Sequence, residues 1–125
     1  MNLLAVFIGG GLGSVCRYLL TIAYPLQPNS FPFATFFANL ISCFVLGIAF
    51  YFFLNKAEVN EPFKLLLTVG FCGGFSTFST FSLENLQLYE NGNYQMLILN
   101  IVLSILLGVA LCWLGVKTGK LAFGA

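Results

Sequence analysis

With 125 residues, 59% of them hydrophobic and 7% charged, the chain cannot cover a water-facing surface, for which soluble domains use roughly 25% charged residues. A formal charge of +1 excludes a polybasic surface for nucleic acid, and the absence of His removes the commonest general base. A helix needs about 20 apolar residues to cross roughly 30 Å of hydrocarbon. The chain supplies four such runs and reads as one small all-α integral membrane domain over residues 1–125.

The first span is expected at about residues 3–23. The N-terminus carries neither a charged n-region nor a small-residue cleavage site, so this run is expected to stay in the mature protein. Gly9 and Gly13 stand at the Gly-x-x-x-Gly spacing that lets two helix backbones approach closely. Arg17, a cation within the span, either faces a partner or snorkels to the interface. A Pro-rich loop, Tyr24 to Pro32, leads to a second span at about residues 33–54. Its strongly polar residue is Asn39, with Ser42 on the same face. An amide this deep must find partners, on another helix or on a permeating ion.

After a polar loop from Asn55 to Pro62, the third span is expected at about residues 63–88. It contains Gly73-Gly74 followed by Ser76, Thr77, Ser79, Thr80 and Ser82, interleaved with Phe75, Phe78 and Phe81. Each glycine costs a soluble helix about 1 kcal/mol relative to alanine. A helix built only to sit in lipid would use Leu and Val, so the pattern predicts a break at mid-membrane. Backbone that leaves the helical ladder there must be buried in protein or line a polar cavity. Freed carbonyls can then bind a cation and freed amides an anion. The competing explanation is that the glycines permit close packing and the hydroxyls bond back to the preceding turn. Helical spacing places Phe78 and Phe81 on one face, with Phe71 and Phe75 further along a similar stripe, and Ser76, Ser79 and Thr80 beside it. Glu84 extends the polar stripe toward one water face.

The turn Glu90-Asn91-Gly92-Asn93 precedes the fourth span, at about residues 94–116, where Asn100, Ser104 and Gly108 recur every fourth residue. A tail with Lys117 and Lys120 follows. The four cysteines fall one per span at no metal-binding spacing and read as free packing groups. With four spans, Lys56, Lys64, Lys117 and Lys120 share one side and Arg17 the other, which favours a cytoplasmic N-terminus.

No catalytic constellation is present; the chain reads as no enzyme. What remains is a neutral hydrogen-bonding path of Asn39, Ser79, Thr80, Asn100 and Ser104, flanked by Phe78 and Phe81. Phenyl rings have a positive edge and a negative face, so rings turned edge-on solvate a small anion. Neutral donors bind an ion favourably enough to enter yet weakly enough to leave. Four spans enclose little cavity, so a pore is expected between subunits.

The run Gly9-Gly10-Gly11 with Gly13 and Arg17-Tyr18, Asn39 in the second span, and the stretch from Gly70 to Glu84 together resemble the Fluc (CrcB) fluoride channels, over the whole chain. The resemblance implies an antiparallel homodimer with two pores, through which fluoride leaks passively out of the cell, giving fluoride resistance. It implies a bacterial plasma-membrane protein. By position, Phe78 and Phe81 would be the pore phenylalanines and Asn39 the amide donor. Ser79 and Thr80 would extend the hydroxyl track, and Asn100 and Ser104 would be the fourth-span positions. A structural, untransported sodium ion would sit at the dimer centre on the backbone carbonyls of Gly73 and Ser76. Arg17 matches the first-span arginine. The count of four cations against one departs from dual insertion and would equally suit pairing with an oppositely oriented paralogue. Two other functions stand beside this one. A proton-coupled exporter would need a carboxylate near the centre of the first span, which has none. An accessory membrane subunit would use every polar residue as helix glue and carry no ion.

Overall fold

The computed structural model describes residues 1–124. They form helices joined by short loops, with no strand among the described residues. Helix α1 is Asn2–Ala23 and α2 is Phe33–Asn55. Helix α3, residues 61–75, opens as Glu61–Leu65, widens into a π-type stretch over Leu66–Cys72, and closes as Gly73–Phe75. Helix α4 is Phe78–Glu90 and α5 is Tyr94–Phe123. Counting α3 and α4 together as Glu61–Glu90, four helical segments are long and apolar enough to cross a membrane.

Local sequence explains the ends. Asn60 Oδ1 accepts from the Phe63 amide at 3.0 Å, and Pro62 occupies the first turn of α3, where its missing N–H costs nothing. Asn93 caps α5 through the Met96 amide at 3.3 Å. Gly92 supplies the left-handed turn between α4 and α5 at φ +72°. Asn93 also donates from Nδ2 to the Asn29 carbonyl at 3.1 Å, tying the two loops at that end of the bundle. At the other end, the rings of Phe52 and Phe123 meet at 4.8 Å and those of Phe53 and Phe63 at 6.0 Å. The expected tail from Lys117 onward is helical to Phe123. It continues because Gly115 and Gly119 keep α5 against Phe44, Ile48 and Tyr51 of α2.

Two helix pairs make the bundle. Helix α1 packs chiefly on α3, and α2 on α5. The first pair is as close as the glycine spacing predicts: a Cβ on Gly9 would strike the Leu66 carbonyl, and one on Gly13 the Phe71 carbonyl. In return, a Cβ on Gly74 would strike the Gly10 carbonyl. Helices in lipid gain little from apolar burial and associate by such backbone approach instead. Much apolar surface stays outside: Leu106 is 63% exposed and Val109 67%.

Because backbone lies on both sides of the contact, Gly13→Leu should destabilise the fold by about 3 kcal/mol or more. Gly11→Ala, whose added Cβ meets nothing within 4 Å, should leave stability unchanged or raise it by up to about 1 kcal/mol. Unfolding midpoints in mixed micelles read the difference; equal midpoints would contradict the packing described.

Candidate functional site

The third segment breaks two residues later than its glycines suggest. Gly73 is helical at φ −66°, ψ −36°, and Gly74 lies within the Gly73–Phe75 turn. Gly74 is small so that α1 can approach. The break is at Ser76 and Thr77, both extended at φ −77°, ψ 156° and φ −153°, ψ 122°. The expected single stripe of phenylalanines therefore divides. Phe71 and Phe75 stack at 5.6 Å on the α3 side, whereas Phe78 and Phe81, 6.0 Å apart, belong to α4. Ser76 likewise parts from Ser79 and Thr80, and its hydroxyl bonds back to the Cys72 carbonyl at 2.7 Å.

Asn39 of α2 holds the break. Its Oδ1 accepts from the Thr77 amide at 2.7 Å, and its Nδ2 donates to the Thr77 carbonyl at 3.3 Å. One carboxamide thus replaces, for Thr77, both partners that a continuous helix would have supplied. Nearby, Ser42 Oγ donates to the Cys72 carbonyl at 3.1 Å. Thr77 then starts the next helix: its Oγ1 accepts from the Thr80 amide at 3.2 Å. The same hydroxyl donates to Thr80 Oγ1 at 3.2 Å and lies 3.3 Å from Ser79 Oγ. Since the Thr77 amide goes to Asn39, the Gly73 carbonyl loses its helical donor. The Ser76 carbonyl lies beyond the end of α3.

Beside the break lies an open groove of about 290 Å³, lined by Asn39, Cys43, Ser76, Thr77, Phe78, Phe81, Ser104 and Ile105. Four expected path residues, Asn39, Phe78, Phe81 and Ser104, meet there. Phe78 is 80% exposed, so nothing in its own chain covers it. Ser79 and Thr80 gather around the Thr77 hydroxyl at the groove's edge. Asn100 does not line the groove; it lies behind Ser104, from whose hydroxyl its Oδ1 accepts at 3.3 Å. Glu84 is one turn beyond Thr80, at a second cavity of about 410 Å³ shared with Gln27, Asn29, Ser30 and Gln87. Its Oε1 accepts from the Thr35 hydroxyl at 2.7 Å, and its buried Oε2 has no partner among the described residues. Arg17 is half-buried on α1, which packs on α2 and α3. The cysteines are free, as expected, and no cluster of His, Cys, Asp and Glu suited to a metal occurs among the described residues.

Two residues went unremarked in the sequence, and a third, Thr77, was named among the hydroxyls without a role of its own. Thr35 precedes Asn39 by one helical turn, so the helical period could have marked it. Thr77 is the hub of the break, but it stands among Ser76, Ser79 and Thr80 with no run of strong helix formers after it, so nothing local singled it out as the cap. Asn85 accepts from Asn100 Nδ2 at 2.8 Å and is buried, but its neighbours in sequence are ordinary helix residues that gave no sign of this.

A family model described as CrcB-like protein, Camphor Resistance (CrcB), matches residues 4–116. Among curated proteins, the chain is 45% identical over 116 residues to one from Phocaeicola vulgatus, covering 92% of this chain and 95% of the other. It is 41% identical over 122 residues to one from Magnetococcus marinus, covering 97% and 99%. To one from Escherichia coli K12 it is 44% identical over 104 residues, covering 83% and 82%. Each of the three is named fluoride-specific ion channel FluC.

Replacing Asn39 with Leu strands the Thr77 amide and carbonyl, at about 1–3 kcal/mol for each buried group left unpaired. The purified Asn39→Leu protein should melt at a lower temperature. Asn55→Ala, which removes only an exposed bond to the Tyr51 carbonyl, should not. An unshifted Asn39→Leu melt would show that the clamp is dispensable.

Proposed function

The chain belongs to the CrcB-like family, and we propose that it is a fluoride-selective channel through which fluoride leaves the cytoplasm passively, conferring fluoride resistance. One observation carries this reading: a helix break clamped by a neutral amide, beside a groove that presents two phenylalanine rings and several neutral polar groups. Fluoride is small and strongly hydrated, so a path for it must replace water with donors of comparable reach. Asn39 Nδ2 spends one hydrogen on the Thr77 carbonyl and keeps a second for the path. The positive ring edges of Phe78 and Phe81 add attraction without a full charge. A buried Lys would bind the anion and hold it; neutral groups let it go. Ser79 and Thr80 continue the hydroxyl track, Ser104 faces it from α5, and Glu84 stands at its vestibule.

The groove is open on one side, and Phe78 projects from it uncovered. A second copy, inserted antiparallel, closes the groove into a pore and buries that ring. An oppositely oriented paralogue would serve equally, and the excess of Lys at one end of this chain favours a preferred orientation over random insertion. The carbonyls of Gly73 and Ser76 have the chemistry to hold a structural sodium ion. Both are freed from helical bonding, they are hard oxygen donors of the kind found at broken membrane helices, and open space surrounds Gly73. Two from each subunit would meet at the dimer centre, where the ion would tie the subunits together without being transported. The setting is the plasma membrane of a bacterium, with the multi-pass topology of the four apolar segments.

In liposomes, Phe81→Ile should slow fluoride efflux by up to about tenfold, the worth of an aromatic edge contact. The variant should still elute as the assembled oligomer. Undiminished efflux would remove Phe81 from the path.

A further inference from the structure

Behind the groove, three side chains join α4 to α5. Asn85, 8% exposed, accepts from Asn100 Nδ2 at 2.8 Å. Asn100, 1% exposed, accepts through Oδ1 from the Ser104 hydroxyl at 3.3 Å. Ser104 is the outermost member and lines the groove with Phe78 and Phe81. A hydroxyl has one hydrogen, so in this sense Ser104 commits its hydrogen inward and offers the groove only lone pairs. Lone pairs repel an anion.

The same atoms support the opposite sense. A carboxamide has nearly the same shape with oxygen and nitrogen exchanged. With both amides turned over, Asn85 Nδ2 donates to Asn100 Oδ1 and Asn100 Nδ2 donates to Ser104 Oγ. The number of hydrogen bonds is unchanged, and the Ser104 hydrogen is free to point into the groove. With the internal bonds balanced, the contents of the groove decide the sense. Water, which can donate, suits the first, and an anion, which only accepts, selects the second. Such a chain works only if its buried end can pair with Asn100 in either sense, which requires a donor and an acceptor on one side chain. Asn85 is that end, and it touches neither the groove nor Ser104.

We propose that Asn85 is a positioning residue whose carboxamide lets Ser104 change from hydrogen-bond acceptor to donor when the anion arrives. The inference rests on the channel reading above. An ionised Asp at this position only accepts, which locks Ser104 as an acceptor; Leu removes the same bond from both senses.

The test is a double-mutant cycle on fluoride efflux from liposomes, using Asn85→Asp, Ser104→Ala and the two combined. Each single change should slow efflux by about tenfold, the worth of one hydrogen bond. The double variant should be no slower than Ser104→Ala, because Asn85 acts only through that hydroxyl. A general loosening of α4 against α5, or the field of the new charge, would slow efflux equally in both backgrounds, and that multiplicative result would overturn the proposal. Asn85→Leu, which costs both senses the same bond and adds no charge, leaves Ser104 free to turn and should slow efflux less than Ser104→Ala does; slowing as large as that of Ser104→Ala would overturn the proposal. Absence of flux from the unmutated protein would instead remove the reading of this chain as a channel without a second kind of subunit.

Discussion

The constraint on which the structure depends is that lipid offers no hydrogen bonds to a broken helix. The segment from Glu61 to Glu90 leaves helical geometry for two residues, and the groups this frees must be met within the protein or line a polar cavity. Asn39 meets two of them on one residue, accepting from the Thr77 amide and donating to its carbonyl. The Thr77 hydroxyl then caps the restarted helix. Without the clamp the break would be a defect. With it, the break places polar backbone, two phenyl rings and a ring of hydroxyls around one groove.

The rest of the fold serves that arrangement by holding the two halves of the broken segment separately. The α3 half is fixed to α1 through glycines that bring backbone against backbone. The α4 half is fixed from the other side, by Thr35 on Glu84 and by Asn85 on Asn100. Because α2 carries both Thr35 and Asn39 and packs along α5, it is the element that relates the two halves. A contact made by small residues cannot slip without opening a void, and a contact made by buried amides cannot slip without stranding a donor. Both kinds resist motion at the groove that the two rings line.

Much of this was legible in the sequence because it follows from residue types that membrane helices tolerate only for a reason. Gly9 with Gly13, the lone Asn39, and the alternation of Phe with Ser and Thr each announced a contact or a break. The position of the break was not legible. Gly73-Gly74 looked like its cause, yet those glycines are helical and Gly74 serves the α1 contact. What bends the chain is a hydrogen bond from a residue 38 positions away, which no local pattern records. The same holds for Asn100: its spacing with Ser104 put it on the path, but its partner Asn85 draws it behind the groove. Helical period tells which residues share a face; it does not tell which face a neighbouring helix will claim.

On the proposed function, this neutral groove, completed by a second subunit, passes fluoride and holds back chloride. The most direct measurement is ion release from liposomes that contain only this purified protein, loaded with fluoride in one preparation and chloride in another. The account predicts rapid loss of fluoride with chloride retained. Release of both ions at similar rates would contradict it.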